Sequence, residues 1–462
     1  VALAAAAILG LAGKAGTLLV FILLIIVAGA GAGAGGPYLL PVYWRNIGVT
    51  LPPQNAVTLI NHVMYFGGNN ITTPLIVLIV WAVAAAAVVS YLDLIRPARA
   101  ARAAAAARAR GELAEASSPG NPAPHPARRR RAMLAIVAAL GICAVMQCLF
   151  STTYTSAEHA PKASNLPFGV TGTSPVLRAA EKTISLNVTH YPNEQAAKNA
   201  INQTTIWGAL IPSGTSDTLL VVPSISDLAP AVLALRFQDA AKSTGQKLTV
   251  QQYAPVPLPP KDPFGLVQGL MMVPLLIGGY MSSTLLLSAT GKAVHRWRAA
   301  GLLVFAVVAG LVVDLIVCLW LGGFSTSKFW IVWPICSLIT AVVAFVAAIL
   351  QKLVGAAGTM LTIIVILQFG NPSSGGASGV PFLPGFWRDL GPYLPPRNAY
   401  LLLHHTIYFN GNGTAEALTI LLIYLGVSAV TLGVLDWYHS EATVPPAAAE
   451  AAGVAVPIGS TP

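Results

Sequence analysis

The chain has 462 residues, 55% of them hydrophobic and only 9% charged, with a formal net charge of +10. Water-soluble proteins carry about 25% charged residues, so the composition excludes an ordinary soluble domain and points to a chain solvated mainly by lipid. Nine of the 26 basic residues are arginines between Arg96 and Arg131, beside apolar segments and without a recognition motif; they mark a cytoplasmic loop, not a nucleic-acid partner.

Val1–Leu11 is predicted to be the tail of an apolar helix, and Gly16–Ala28 a second apolar run that leaves the bilayer through AGAGAGAGGPY. Pro74–Leu92 is the next span; its proline sits where a first-turn amide has no intrahelical partner, and Asp93 closes it. Residues 94–132 form a cytoplasmic linker rich in arginine and alanine, then in serine and proline. Met133–Phe150 follows as a span of about 18 residues where roughly 20 are usual.

Residues 151–262 change character. LPFGVTG (166–172), SLNVTHY (185–191), TIWGALIP (205–212), TLLVVPS (218–224) and KLTVQQY (247–253) have strand patterning. Pro175–Thr183, Asn193–Asn202 and Leu228–Ser243 have helical patterning, with Asn193 as a helix cap. Strands alternating with helices predict a small α/β domain. Asn187 and Asn202 match glycosylation acceptors, a pattern common by chance.

Five more spans are predicted at Leu266–Ala289, Ala300–Gly322, Phe329–Leu350, Val354–Phe369 and Ala417–Leu435, with a loop at 370–416 and a disordered cytoplasmic tail at 439–462. Counting alternately from the arginine-rich linker places residues 151–262 outside the plasma membrane, and the linker, the loop GKAVHRWRA and the C-terminus inside. The four cysteines, Cys143, Cys148, Cys318 and Cys336, lie in apolar segments and are expected to be small core residues, without disulfides or a zinc site.

The stretch LPVYWRNIGVTLPPQNAVTLINHVMYFGGN from Leu40 returns as LPGFWRDLGPYLPPRNAYLLLHHTIYFNGN from Leu383, at a constant offset of 343 residues (Asn55 to Asn398). So long a period points to a duplicated unit and not to a solenoid. Because the chain starts at Val1, shows no signal peptide, and matches only the end of the second copy, the first copy is expected to lack its N-terminal part. The expected fold is therefore mainly α, a polytopic membrane helical bundle. It holds one complete six-span unit with an extracytoplasmic α/β domain after its first span, preceded by the C-terminal part (1–93) of a second copy. In the complete unit 133–150 is the first span, and 263–438 are the five-span bundle.

This plan, with FGNPSSGG (369–376) followed by LPGFWRDLGPYLPP, resembles membrane proteins of the phage-infection-protein (YhgE/Pip-like) group, which belong with the type-2 ABC exporter permeases. The resemblance implies a permease working with a separate ATPase subunit, the two copies packing as a pseudo-dimer around a path for an amphipathic or lipid-like substrate. In the first copy AGAGAGAGG stands where the second has NPSSGG, so the halves are not equivalent.

Candidate path or gate residues are Asp314, Asn371, Pro372, Trp387, Arg388, His405 and Tyr408. Trp387, Tyr393, Tyr400, Tyr408 and Phe409 are amphipathic rings suited to a headgroup layer, so a short helix on the outer leaflet is expected, either as a packing lid or as a gate. Asp314 lies mid-span, where a carboxylate is expensive. It is either a relay or a packing group bonded to Ser282, Ser283, Thr284 or Thr340, and in the second case Asp314→Leu should destabilise. Asp93 and Asp436 end equivalent spans, where an aspartate is usually solvated. Lys292, His295, Arg296 and Arg298 form the candidate coupling loop. Adjacent His404 and His405 point about 100° apart on a helix and do not suit one metal. No phosphate loop, nucleophile elbow or zinc-helix motif is present, so neither a catalytic role nor a cofactor is expected. The competing expectation is a non-transporting scaffold or receptor that binds an extracellular or secretion-apparatus partner through residues 151–262.

Overall fold

The structure is a computed structural model that describes residues 5, 7–8, 42–92, 126–158, 161–214, 216–226, 228–290, 295–355, 357–376 and 378–441. Most of Val1–Leu11, the run Gly16–Ala28, the glycine-rich exit, Asp93, the linker to residue 125, Lys292 and the tail from 442 lie outside the described residues. The chain divides into two compact units, Val1–Pro126 and Ala127–Pro462.

The first unit is built on α1 (Val42–Gly48), α2 (Pro52–Tyr65) and α3 (Thr72–Ser90). Pro52 and Pro53 start α2, where missing amides cost nothing. Asn55 Nδ2 donates to the carbonyls of Val49 and Leu51, both at 2.9 Å, and so locks the chain entering α2. After Tyr65 the chain reverses through Gly67, Gly68 and Asn70, all with positive φ. Trp81 Nε1 on α3 donates to Thr50 O at 2.8 Å.

The second unit opens with α4 (Pro126–Glu158), one continuous 33-residue helix that contains the expected span Met133–Phe150. The α/β domain follows. Its strands β1 (Leu166–Val170), β2 (Leu186–His190), β3 (Gly208–Ser213), β4 (Ser216–Val221) and β5 (Lys247–Gln252) form one sheet in the order β2-β1-β3-β4-β5. Only the β3–β4 hairpin is antiparallel. Helices α5 (Pro175–Ala180), α6 (Glu194–Asn202) and α7 (Ala229–Thr244) connect the strands, and Ser174 and Asn193 cap the first two through their side chains. Leu166, Phe168 and Val170 of β1 are fully buried, and Phe168 stacks on Phe237 of α7 at 4.9 Å. Gly208 is required on β3, since a Cβ would lie 2.9 Å from Leu220 O.

The helical bundle comprises α8 (Val267–Thr290), α9 (His295–Asp314, continued by wider π-helical turns through Leu315–Leu321), α10 (Phe329–Val354), α11 (Ala357–Thr362, continued likewise through Ile363–Gly370) and α14 (Ala415–Glu441). Between α11 and α14 lie α12 (Gly385–Leu390) and α13 (Pro395–Tyr408). Among the described residues five helices are long and apolar enough to cross a membrane: α3, α8, α9 with its extension, α10 and α14. The expected span Val354–Phe369 is a shorter object. Helix α10 absorbs Val354, the chain turns at Gly355 with φ +65°, and the two segments that follow are only 6 and 8 residues long. At 1.5 Å per residue they reach about 20 Å of a roughly 30 Å hydrocarbon layer.

The two signature stretches share most of their local hydrogen bonds, although His62 Nδ1 faces Asn69 O and its counterpart His405 faces Gly413 O, one position further along. Asn398 Nδ2 donates to Pro392 O and Leu394 O, both at 3.0 Å, as Asn55 does to the equivalent carbonyls. Phe409 N and Gly411 N bond to His405 O, as Phe66 N and Gly68 N bond to His62 O. Asn410, Gly411 and Gly413 repeat the positive φ of residues 67, 68 and 70. Tyr424 OH donates to Tyr393 O at the position where Trp81 reaches Thr50. Their surroundings differ. Tyr65 and Phe66 are 73% and 61% exposed, whereas Tyr408 and Phe409 are 1% and 0% exposed.

Candidate functional site

Helix α13 starts at Pro395-Pro396, and nearly every side chain along it is buried, packed against α8, α10 and α14. The α/β domain is fastened to it by polar bonds at its domain-facing end. His404 Nε2 donates to Ser224 O at 2.7 Å, which fixes the tautomer with the proton on Nε2. Burial pushes the His404 imidazole down to about 3 and lowers His405 as well. Tyr408 OH donates to Asp262 at 3.2 Å, while the same carboxylate accepts the backbone amides of Leu266 and Val267 and so caps the entry to α8. Asn412 Nδ2 donates to Asn202 O at 2.8 Å, and Ser226 Oγ to Ser378 O at 2.7 Å. Three separate loops of the domain therefore grip one helix and its flanks.

The expected ring cluster does not face headgroups. Trp387, Tyr400, Tyr408 and Phe409 are buried in protein, and only Tyr393 of that set is exposed. The physical reason is packing between distant segments: Trp387 lies against Ala157 of α4 and Phe369, while Tyr400 and Tyr408 are closed in where Gln268 of α8 and Asp262 of the segment leaving the α/β domain reach them. Tyr400 stacks on His404 at 5.3 Å, and its hydroxyl accepts from Gln268 Nε2 of α8 at 3.2 Å.

Other candidates line the same end of the unit. Asn371 Nδ2 donates to Tyr154 OH at 3.1 Å, tying the end of α11 to α4, and Pro372 is buried in the tight turn that follows. Trp387 Nε1 donates to Ser156 Oγ at 3.2 Å. The Arg388 side chain is partly exposed beside Asp389, and its carbonyl holds the Arg397 guanidinium at 2.7 Å. His405 Nδ1 faces Gly413 O at 3.3 Å and secures the turn after α13. His405 has a counterpart in the first copy, His62. His404, the residue that reaches the domain, stands where the first copy has Asn61, and that difference was the available signal.

Asp314 is apart from this group, at the junction between α9 and its wide-turn extension, and it is fully buried. Neither carboxylate oxygen makes a well-formed hydrogen bond among the described residues, and the main chain of Trp333 is the polar group that faces it. None of the expected hydroxyl partners serves it. Ser282, Thr284 and Thr340 bond to carbonyls of their own helices, and Ser283 bonds to Gln351 Oε1 at 2.8 Å. A wide helical turn next to an unsatisfied buried acid is a frequent mark of a functional position.

At the opposite end of the bundle Arg298 is 4% exposed and is not a loop residue. Helix α9 begins at His295, five residues before the expected start, and that extra turn carries Arg298 into the bundle. Its Nη2 lies 3.4 Å from Ser283 Oγ and 3.3 Å from Gln351 Oε1, and Gln351 Nε2 donates to Thr284 and Thr359 hydroxyls. Lys352 pairs with Asp436, so that aspartate is held in an ion pair and is not simply solvated. The side chains of His295 and Arg296 lie outside the described residues. Cys318 and Cys336 are buried as expected, while Cys148 is exposed on α4.

No known family model, curated protein or solved structure matches the chain.

Proposed function

We propose that the chain is the membrane permease of an exporter of the type-2 ABC kind, moving an amphipathic or lipid-like substrate outward with energy from a separate ATPase subunit. The observation that carries the reading is helix α13: a short buried helix closing one end of a bundle of apolar helices, clamped beneath a folded α/β domain. Such a helix is placed to open or seal a path, because a shift of the domain must pull on it through His404, Tyr408 and Asn412. The shared capping and turn hydrogen bonds of residues 42–90 and 385–433 support a duplicated unit, as a permease built from two similar halves requires. The arginine distribution supports the α/β domain lying outside the plasma membrane, with Arg298 and its neighbours at the cytoplasmic end.

The test is purification of the tagged full chain from its native membranes in mild detergent. A stoichiometric ATPase subunit whose hydrolysis is stimulated by this chain is the expected result; a chain that recovers no ATPase under conditions preserving a known ABC complex refutes the reading. The scaffold reading draws on one observation of its own. Strand β5 is an edge strand with most of its side chains exposed, and an open edge can accept a strand from another protein.

A further inference from the structure

A concave cavity of about 710 Å³ lies between the domain-facing half of α4 and the segment around α12. One wall is a stripe of α4: Ala144, Val145, Cys148, Leu149, Thr152, Thr153 and Ser156. Their spacing of pairs four residues apart puts them on a single helix face. The other wall is Phe369, Pro384, Phe386 and Trp387.

Three features distinguish this cavity from an ordinary lipid-facing groove. Its volume lies within the roughly 300–1,000 Å³ typical of ligand pockets. Its aromatic wall is built and held: Trp387 packs on Phe369 at 5.9 Å and on Phe386 at 5.1 Å, and its indole N–H is fixed to Ser156 Oγ across the cavity. Polarity also runs in one direction along the α4 stripe, from Ala, Val, Cys and Leu to Thr, Thr and Ser. That stripe is about 18 Å long at 1.5 Å per residue. Its apolar end lies within the expected span Met133–Phe150 and its hydroxyl end beyond it, towards the α/β domain.

We propose that this cavity is a binding site for a single-chain membrane amphiphile. The hydrocarbon chain lies against Ala144–Leu149 and the aromatic wall, and the polar head sits at Thr152, Thr153 and Ser156. The direction of the hydroxyl gradient selects this occupant: Thr153 and Ser156 already bond to the carbonyls of Phe150 and Thr153, but a wholly apolar ligand leaves the exposed Thr152 hydroxyl facing hydrocarbon, and a water-soluble one gains nothing from the apolar two-thirds of the wall. The site binds whether or not its occupant is carried, so its test reads binding and not transport.

The test uses the full chain in nanodiscs with a lysophospholipid carrying a diazirine midway along its acyl chain. Crosslinks are expected on 144–149 and 384–387, saturable by unlabelled lysophospholipid. Ala144→Trp, which fills the apolar end, is expected to cut them at least tenfold with the thermal midpoint kept. Labelling of the exposed Val430 face of α14 is the reference for lipid that merely surrounds the protein. Labelling at 144–149 that equals the Val430 level and does not saturate overturns the proposal. If Ala144→Trp fails to fold, Cys148 decides in a background lacking the other three cysteines. It is exposed on the cavity wall, and its maleimide labelling is expected to slow at least fivefold with the amphiphile; an unchanged rate overturns the proposal.

Discussion

Acid should loosen the joint between the α/β domain and α13, and His404 should be the cause. Its imidazole is buried, donates from Nε2 to Ser224 O, and is held neutral by desolvation, with its pKa pushed down to about 3. In an undocked state the ring returns to about 6.5. Between these values the undocked state binds more protons, so docking is fully stable above pH 7 and weakens as pH falls through 6.5 towards 3. At about 1.4 kcal/mol per pH unit, a drop from pH 7.5 to 5.0 costs the joint about 2 kcal/mol, or roughly 30-fold in its opening equilibrium. His404→Gln keeps an N–H donor for Ser224 but cannot titrate. Hydrogen exchange in the segments 222–228 and 396–409, corrected for intrinsic rates, should therefore accelerate about 30-fold in the parent at pH 5.0 and far less in the Gln variant. His405, also shifted down by burial, leaves the variant a smaller residual response. Equal acceleration in parent and variant would refute the assignment.

Asp314→Leu removes two buried oxygens that lack well-formed hydrogen bonds, so thermal unfolding should show it neutral or stabilised by up to about 1–3 kcal/mol, the opposite of the sequence-based expectation; a clear loss of stability would mean that the acid has a partner. Lys352→Ala takes the ion-pair cation away from the mostly buried Asp436 carboxylate and should cost about 3–5 kcal/mol, while the paired change Lys352→Met with Asp436→Leu should recover part of that in the same melt. Gly279→Ala puts a Cβ 2.7 Å from that of Val343 and 2.9 Å from Thr340 O, so its α8–α10 crossing should be strained by about 1–3 kcal/mol; Gly278→Ala, which meets nothing, is the control. For orientation, single cysteines at Lys242 and Asp389 should label from outside intact cells and one at Ser118 should not.

What the sequence made legible was local. All five strands fall within two or three residues of their expected positions, because period-two patterning and Gly or Pro boundaries are properties of neighbouring residues. Asn193 caps its helix for the same reason. What escaped was set by contacts across the chain. His404 meets Ser224 at a separation of 180 residues, and no local pattern distinguishes a ring covered by a domain from one facing headgroups. Asp314 misled in a different way. Hydroxyls on neighbouring helices looked like partners, but Ser and Thr inside helices readily bond back to carbonyls three or four residues earlier, and Ser282, Thr284 and Thr340 do so. Arg298 escaped because a helix boundary is uncertain by a turn, and one turn separates a loop cation from a buried one.

Helix α10 connects these features physically. It packs against α8, α9, α11, α13 and α14, and its length puts it in contact with both polar ends of the bundle. Lys328, just before its first residue, donates to Asn410 beside the joint; Trp333 of its second turn faces Asp314; Gln351 and Lys352 of its last turns hold the Arg298 network and Asp436. Two glycine crossings fix its position. A Cβ at Gly310 would lie 2.4 Å from Ser337 Oγ, and Gly279 is seated against Val343. Close-packed contacts of this kind do not stretch continuously, so α10 can move only by stepping to another packed arrangement or with its neighbours as a body. A disturbance at the α/β domain and one at Arg298 therefore act on the same element from opposite ends. Each can bias the other only so far as α10 has a second arrangement to adopt.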